Sequence, residues 1–352
     1  MRAIEWAEPP GFGRAERLNS LLKPGYVPFY FRARRWIRAA LERGEQFDVA
    51  HQPVPVSLRY PSPVAGLRIP FVIGPVGGSM QSPPEFRAEE GTTGWYVRLR
   101  DLDRPRLSRD PWLRRTYQEA SCVIGIAPYV SDLLARTPVR RFEVMSETGI
   151  ERLPAPVDRT GRQGEVRLLF VGRLIRTKGA RDAIRALGLV RELPASLDVV
   201  GDGFDRSACE RLASELGLTS RVRFHGWLPR SRVEEFYRAA DAFIFPSYRE
   251  PGGNVTFEAM SYGLPVLVSD RGGPGSVVDE TCGIRVHPQS PEQYARGLAA
   301  ALAQLVTDPG LRQALGAGAR RRAAEIGLWD SKAAQIEAIY ARILDADLRQ
   351  AP

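Results

Sequence analysis

AFIFPSYREPGGNVTFEAMSYGLPVLVSD, residues 242–270, is the stretch on which the fold turns. AFIFPS (242–247) is an apolar run of strand length, a helix is predicted from about 253 to 262, and PVLVSD (265–270) is a second apolar run. Runs without polar alternation suit strands covered on both faces, as in parallel sheets flanked by helices. Working outward, the pattern repeats. Upstream lie the predicted strands RLLFVGRL (167–174), SLDVVGDG (196–203) and RVRFHGW (221–227), with helices near 179–190, 204–216 and 231–240. Downstream, GIRVHP (283–288) reads as a strand, and 291–307, 309–326 and 331–348 as helices. Strands alternating with helices imply βα units and right-handed crossovers. Ligands of such sheets bind at the carboxyl ends of the strands, so the loops there are the candidate site.

The first half is less regular. Residues 16–44 read as a helix interrupted by Pro24-Gly25 and Pro28, and AIEWAEP (3–9), FDVAH (47–51), IPFVIGPVGG (69–78) and CVIGIAP (122–128) as strands. A helix is predicted over 111–122, a long loop over 79–110 and a linker over 147–158. At 352 residues, two domains are expected. No apolar run reaches the roughly 18 residues of a membrane span. The first residues, MRAIEWAEPPGFG, lack a signal peptide's apolar core, so a cytoplasmic location is expected. Cys122, Cys209, Cys282 and His51, His225, His287 are scattered, so neither a disulfide framework nor a metal site is expected.

The net charge is +9. It sits mainly in residues 1–150, where 22 basic residues face 16 acidic ones; the remainder carries 28 against 25. Such an excess fits nucleic acid, an anionic membrane, phosphate-bearing substrates or simply a solvated surface. Arg32, Arg34, Arg35 and Arg38 interleave with Phe29, Tyr30, Phe31 and Trp36, a pattern that suits an anionic membrane surface better than nucleic acid. Of 50 basic residues only Lys23, Lys178 and Lys332 are lysines, so each lysine stands out.

Three strand-end loops carry chemistry. In GRLIRTKG (172–179), Arg173 and Lys178 are five apart across a turn and can converge on a diphosphate, or be two solvated cations. VGDG (200–203) ends in Gly203, which allows close approach of a ligand, but no dinucleotide fingerprint follows. In EPGGNVTFE (250–258), Gly252 and Gly253 open a helix whose amides at 253–255 can face phosphate oxygens. Asn254 and Glu258 share one helix face. A carboxylate beside a phosphate site suits a neutral polyol such as ribose, and Glu250 could reach a sugar; alternatively, the two acids merely answer the helix dipole.

Residues 165–290 resemble the retaining glycosyltransferases of the GT-B fold, family 4 (glycosyl transferases group 1), bacterial branch. The resemblance rests on FVGRLIRTKG, VVGDG, VRFHGW, two glutamates separated by seven residues in EPGGNVTFE, and the GG–VVD segment, in this order. It implies an α/β chain with two Rossmann-like domains facing a cleft. Residues 1–155 would form the acceptor side, 156–328 the nucleotide-sugar side, and 329–352 a helix crossing back. It implies donor contacts from Arg173, Lys178, Gly203, Arg223, Phe224, Gly252, Gly253, Asn254, Val255 and Glu258, and catalytic roles for Glu250, Arg173 and Lys178. FDVAH is similar to the family's Asp-x-x-His strand end, which adds His51 to the catalytic set, although Pro53 stands where many relatives have a second histidine. The implied reaction is metal-independent and retaining, needs no cofactor, and moves a hexosyl group from a nucleotide sugar, UDP before GDP, to a glycan, lipid-linked or small-molecule acceptor in cell-surface polysaccharide or glycoconjugate synthesis. A location on the inner face of the membrane fits lipid-linked acceptors, and nucleic acid is not an expected partner. The family's opening strand and Gly-Gly loop have no counterpart here, which leaves a nucleotide-sugar-binding protein without transferase activity as the alternative.

Overall fold

The computed structural model describes residues 23, 25–91, 103–162 and 164–348. The strand expected at AIEWAEP, and with it the expected lack of a first strand and glycine loop, falls outside the described residues.

Two parallel sheets organise the chain. In the first, β1 (Ala50–Gln52), β2 (Phe71–Val76), β3 (Cys122–Gly125) and β4 (Phe142–Val144) lie side by side in chain order. The second contains β5 (Val166–Val171), β6 (Ala195–Val200), β7 (Val222–Gly226), β8 (Ala242–Phe245), β9 (Val266–Ser269) and β10 (Gly283–Val286). Its order is β10-β9-β8-β5-β6-β7, all parallel. The chain runs outward from β5 to β7, then returns to β8 on the other side of β5. The order therefore reverses between β5 and β8, the place where α/β sheets open a crevice for ligands. β6, β8 and β9 are buried along their whole length, which is why β8 and β9 show no polar alternation; in β6 the buried polar residues are Ser196 and Asp198.

The second core, that of the second sheet and its helices, includes Phe170, Ile184, Phe243, Phe257 and Leu298. The first core, with Phe71, Leu113, Tyr117 and Val130, lies under the first sheet. The terminal helix, Trp329–Leu348, returns to the first sheet and buries Ile339 and Ile343 against Val72, Cys122, Ile124 and Met145. Where the chain crosses twice between the sheets, the Ile150 amide donates to Gly327 O at 2.9 Å and the Trp329 amide donates to Ile150 O at 3.2 Å. Lys332 is buried there and donates to Ser146 O at 3.0 Å; burial pulls its ammonium down to about 8.

The predicted loop over 79–110 is only partly a loop. It contains a 3-10 helix, Pro84–Glu90, and an α-helix, Asp103–Arg109. What orders the first is tertiary burial of Phe86, which no local period announces. Asp110 caps the next helix, Pro111–Glu119, accepting from the Trp112 and Leu113 amides at 3.0 and 3.3 Å. β4 and the helices Tyr129–Leu134 and Gly272–Val277 were not foreseen, being too short to show a period. The helix expected over 309–326 ends at Arg322 and passes through a π-turn, Ala323–Gly327. Among the described residues no helix is long and apolar enough to cross a membrane.

Candidate functional site

The loops after β5 and β8 meet across the switch point. Ser247 Oγ donates to Thr177 O at 2.9 Å. Gly179 has φ +83, and a Cβ there would lie 2.2 Å from Pro246 O, so the two loops touch backbone to backbone. This contact brings Lys178 and Glu250, 72 residues apart, into a direct ion pair in which each side chain is only 13% exposed. Burial, together with the Arg173 and Arg249 guanidinium groups, pulls the Lys178 ammonium down to about 7. The ammonium also lies 5.8 Å from the centre of the Phe245 ring. Arg173 is exposed and has no ion-pair partner among the described residues. One cation is thus held in place and the other is free to swing.

The helix Asn254–Ser261 begins at Gly253, whose φ of +84 lets the chain turn directly from loop to helix. The amides of Gly253, Asn254 and Val255 have no protein acceptor among the described residues. They form a field that attracts anions. On the helix face, Asn254 Nδ2 donates to Glu258 Oε1 at 3.0 Å and the Tyr237 hydroxyl donates to Glu258 Oε2 at 3.0 Å. Tyr237 is fully buried; burial and the Glu258 charge push its phenol well up, so it remains a donor. The Glu258 carboxylate is fixed by two donors and keeps lone pairs for a ligand's hydroxyls.

Gly203 sits one loop away. Its φ is +156, and a Cβ would lie 2.2 Å from Leu174 O. The Leu174 amide donates to Asp202 O at 2.8 Å, so this glycine locks the loop carrying Arg173 against the loop after β6. Gly252 lies against a side chain rather than backbone: a Cβ there would lie 2.3 Å from Glu147 Oε1. Glu147 comes from the first half of the chain and was not foreseen. Its Oε2 is buried without a partner, and burial raises its carboxyl. No sequence pattern marks it, because only the fold places it beside Gly252.

The Arg223 side chain leans away from this cleft, which leaves only its backbone and that of Phe224 for the expected donor contact. It lies inside β7 rather than in the loop after it, paired in register with Asp198. Its guanidinium stands 3.9 Å from Asp198 and 3.9 Å from Glu165, which precedes β5 and marks the opposite end of the sheet. Phe224 packs, partly buried, on the second core. The strand's carboxyl end is Gly226, whose carbonyl accepts from the Gly201 amide at 2.8 Å.

His51 is the middle residue of β1, on the first sheet, with both ring nitrogens engaged. Nδ1 lies 2.6 Å from the Tyr340 hydroxyl and Nε2 2.7 Å from Gly74 O. Burial lowers its pKa, which favours a neutral ring tying the terminal helix to the sheet. Catalysis by His51 requires Tyr340 or Gly74 to release a nitrogen.

Residues 158–322 match the family model described as glycosyl transferases group 1. The chain is 37% identical over 189 residues to the lipopolysaccharide core biosynthesis glycosyltransferase LpsD of Rhizobium meliloti, covering 51% of this chain and 51% of that protein. It is 36% identical over 220 residues to the D-inositol 3-phosphate glycosyltransferase of Xylanimonas cellulosilytica, covering 61% of this chain and 48% of that protein. The chain thus spans about half the length of the curated relatives it matches. In three dimensions it resembles sucrose-phosphate synthase of Thermosynechococcus elongatus (TM-score 0.62, 23% identity, 96% of this chain and 81% of that chain). It also resembles Anabaena HepE, solved with UDP and glucose (TM-score 0.57, 17% identity, 96% and 83%). The fold is GT-B: two parallel-sheet units facing a cleft.

Proposed function

With residues 158–322 forming a glycosyl transferases group 1 domain, we propose that the chain is a retaining, metal-independent glycosyltransferase that takes a hexosyl group from a nucleotide sugar, UDP before GDP. The observation that carries this reading is the convergence of Lys178, Glu250, the free amides at 253–255 and the doubly held Glu258 at one switch point. Arg173 closes over the diphosphate and Lys178 takes its inner oxygens; together they stabilise the departing charge as a divalent ion does elsewhere. Glu258 accepts from the ribose hydroxyls. Glu250 turns from Lys178 to the sugar once the phosphates arrive. The leaving phosphate accepts the acceptor's proton on the same face, so no carboxylate pair at glycosidase spacing is needed. Residues 1–155 are the acceptor side, and the relatives' names make a cell-surface glycan or glycolipid precursor the first acceptor class to try.

We place the protein in the cytoplasm, on the membrane's inner face. The helix Tyr26–Glu42 leaves Phe29, Phe31 and Trp36 more than half exposed, with Arg32, Arg35 and Arg38 in solvent. Aromatic rings beside cations suit an anionic lipid surface.

Calorimetry with UDP and GDP on the parent and Lys178→Ala tests the donor site, and UDP-sugar turnover in the presence of a chelator tests the chemistry. Binding lost in the variant and turnover surviving the chelator support the reading. Binding without any transfer or hydrolysis favours a binding-only protein, and absence of binding at millimolar nucleotide refutes the donor site.

A further inference from the structure

After β2 the chain leaves the first sheet. Gly78 (φ +97) and Ser79 (φ +56) turn it outward. The next eleven residues attach to the second half of the molecule, and they touch three of its strand-end loops. On the loop after β9, Arg271 Nη2 donates to Gln81 O at 2.8 Å, and Met80 Sδ lies 3.1 Å from where a Gly272 Cβ would stand. On the loop after β8, Arg249 Nη1 reaches Ser82 Oγ at 3.1 Å and Glu90 Oε2 at 3.3 Å. On the loop after β5, Arg176 Nε donates to Glu89 Oε2 at 2.7 Å. Arg185, on the following helix, reaches both oxygens of Glu89, at 3.1 and 2.9 Å. Between these polar contacts Phe86, fully buried, enters the second core with its ring centre 4.4 Å from that of Tyr248, and Arg176 lies 5.5 Å above it.

Arg176 is buried and is also gripped by Asp182, at 2.5 and 2.9 Å. It lies midway between Arg173 and Lys178 on the same loop, while Arg249 precedes Glu250. The segment therefore holds, from outside, the backbone on which the candidate donor residues sit. We propose that residues 80–90 form a strap, borne by the acceptor-side half, that sets the position of Arg173, Lys178 and Glu250, with Glu89 as its positioning residue. Glu89 touches no substrate. It acts by balancing Arg176 and Arg185, which without it share the single carboxylate of Asp182 and leave the loop a second resting place. This proposal rests on the donor site proposed above.

Linkage makes the strap testable. If docking favours nucleotide binding, nucleotide must favour docking by the same factor. Arg87 is exposed on the strap and is a tryptic site. In the parent, UDP is expected to slow trypsin cleavage after Arg87 several-fold. Glu89→Gln is expected to speed that cleavage without UDP and to weaken UDP binding about tenfold. Glu89→Asp should recover part of both, and Arg185→Gln, which leaves the Arg176–Asp182 pair intact, should show the same two effects at smaller size and serves if Glu89→Gln does not fold. Ile343→Val, a change in the core between the terminal helix and the first sheet, should leave UDP affinity at the parent's value. Faster cleavage with unchanged UDP affinity overturns the positioning role. Absence of UDP and GDP binding by the parent overturns the donor site itself, a result readily told apart from the first.

Discussion

Lys178→Ala should reveal how the switch point handles charge. Lys178 and Glu250 are each 13% exposed and paired directly. At an effective dielectric near 20, two unit charges about 4 Å apart interact by about 4 kcal/mol. Removing the ammonium does two things to an arriving diphosphate. It deletes a charge-assisted contact of about 1.5–3 kcal/mol. It also leaves the Glu250 carboxylate uncompensated beside the anion, a repulsion of about 1–2 kcal/mol once solvent screening is allowed for. The sum is about 2.5–5 kcal/mol, or roughly 10²–10⁴ in affinity at 1.4 kcal/mol per factor of ten. Glu250→Gln alone removes the competitor for Lys178, so UDP should bind at least as tightly as in the parent while sugar transfer collapses. The double variant lacks the repulsion and should bind UDP about tenfold better than Lys178→Ala. Calorimetric titration of all four proteins with UDP at low salt, with circular dichroism to check folding, gives the cycle. A Lys178→Ala dissociation constant within threefold of the parent's, or effects that add to within about 0.5 kcal/mol, would refute the reasoning.

Lys178 also sets a pH dependence. Its folded, ligand-free pKa of about 7 lies below the ordinary lysine value, and a bound diphosphate favours the charged form and raises it. Affinity for a UDP-sugar should therefore be greatest below pH 7 and fall by up to about tenfold per pH unit above it; calorimetry in buffers of different ionisation enthalpy should show proton uptake near neutrality. Glu258→Gln keeps one acceptor oxygen for the Tyr237 hydroxyl or Asn254, turns the other into a donor and removes the charge facing the ribose, so UDP affinity should fall about tenfold while inorganic pyrophosphate binds as before, measured by competition. Phe86→Ala opens a cavity in the second core and should lower stability by about 3–5 kcal/mol, read as a drop in melting temperature.

The second sheet was legible because its central strands are buried on both faces and its helices follow directly. The apolar runs of 167–288 alternate with amphipathic stretches, and that alternation is local information. Their carboxyl ends could be named without coordinates, so Arg173, Lys178, Glu250, Asn254 and Glu258 were found at loops before any loop was placed. Ion pairing between Lys178 and Glu250 was not readable, since it depends on the order β8-β5 that brings two distant loops together. The direction of the Arg223 side chain was not readable either, because a strand's sequence does not say which end a long side chain leans toward; Asp198 and Glu165 decide that.

The first half was harder to read for a physical reason. Its short strands β1 and β4 are three residues each, below the length at which a period can be counted. Its most ordered loop owes that order to the other half of the molecule: Phe86 and Glu89 lie in a segment rich in proline and charge that reads as solvent-exposed. By itself the sequence determined a parallel sheet with an anion-seeking helix start, because burial on both faces and a Gly-Gly helix entry leave local marks. Only the tertiary structure decided which residues share a cleft, that Glu147 faces Gly252 and that the strap binds Arg176. Those contacts join residues some 70 to 105 positions apart, and nothing in either segment alone encodes its partner.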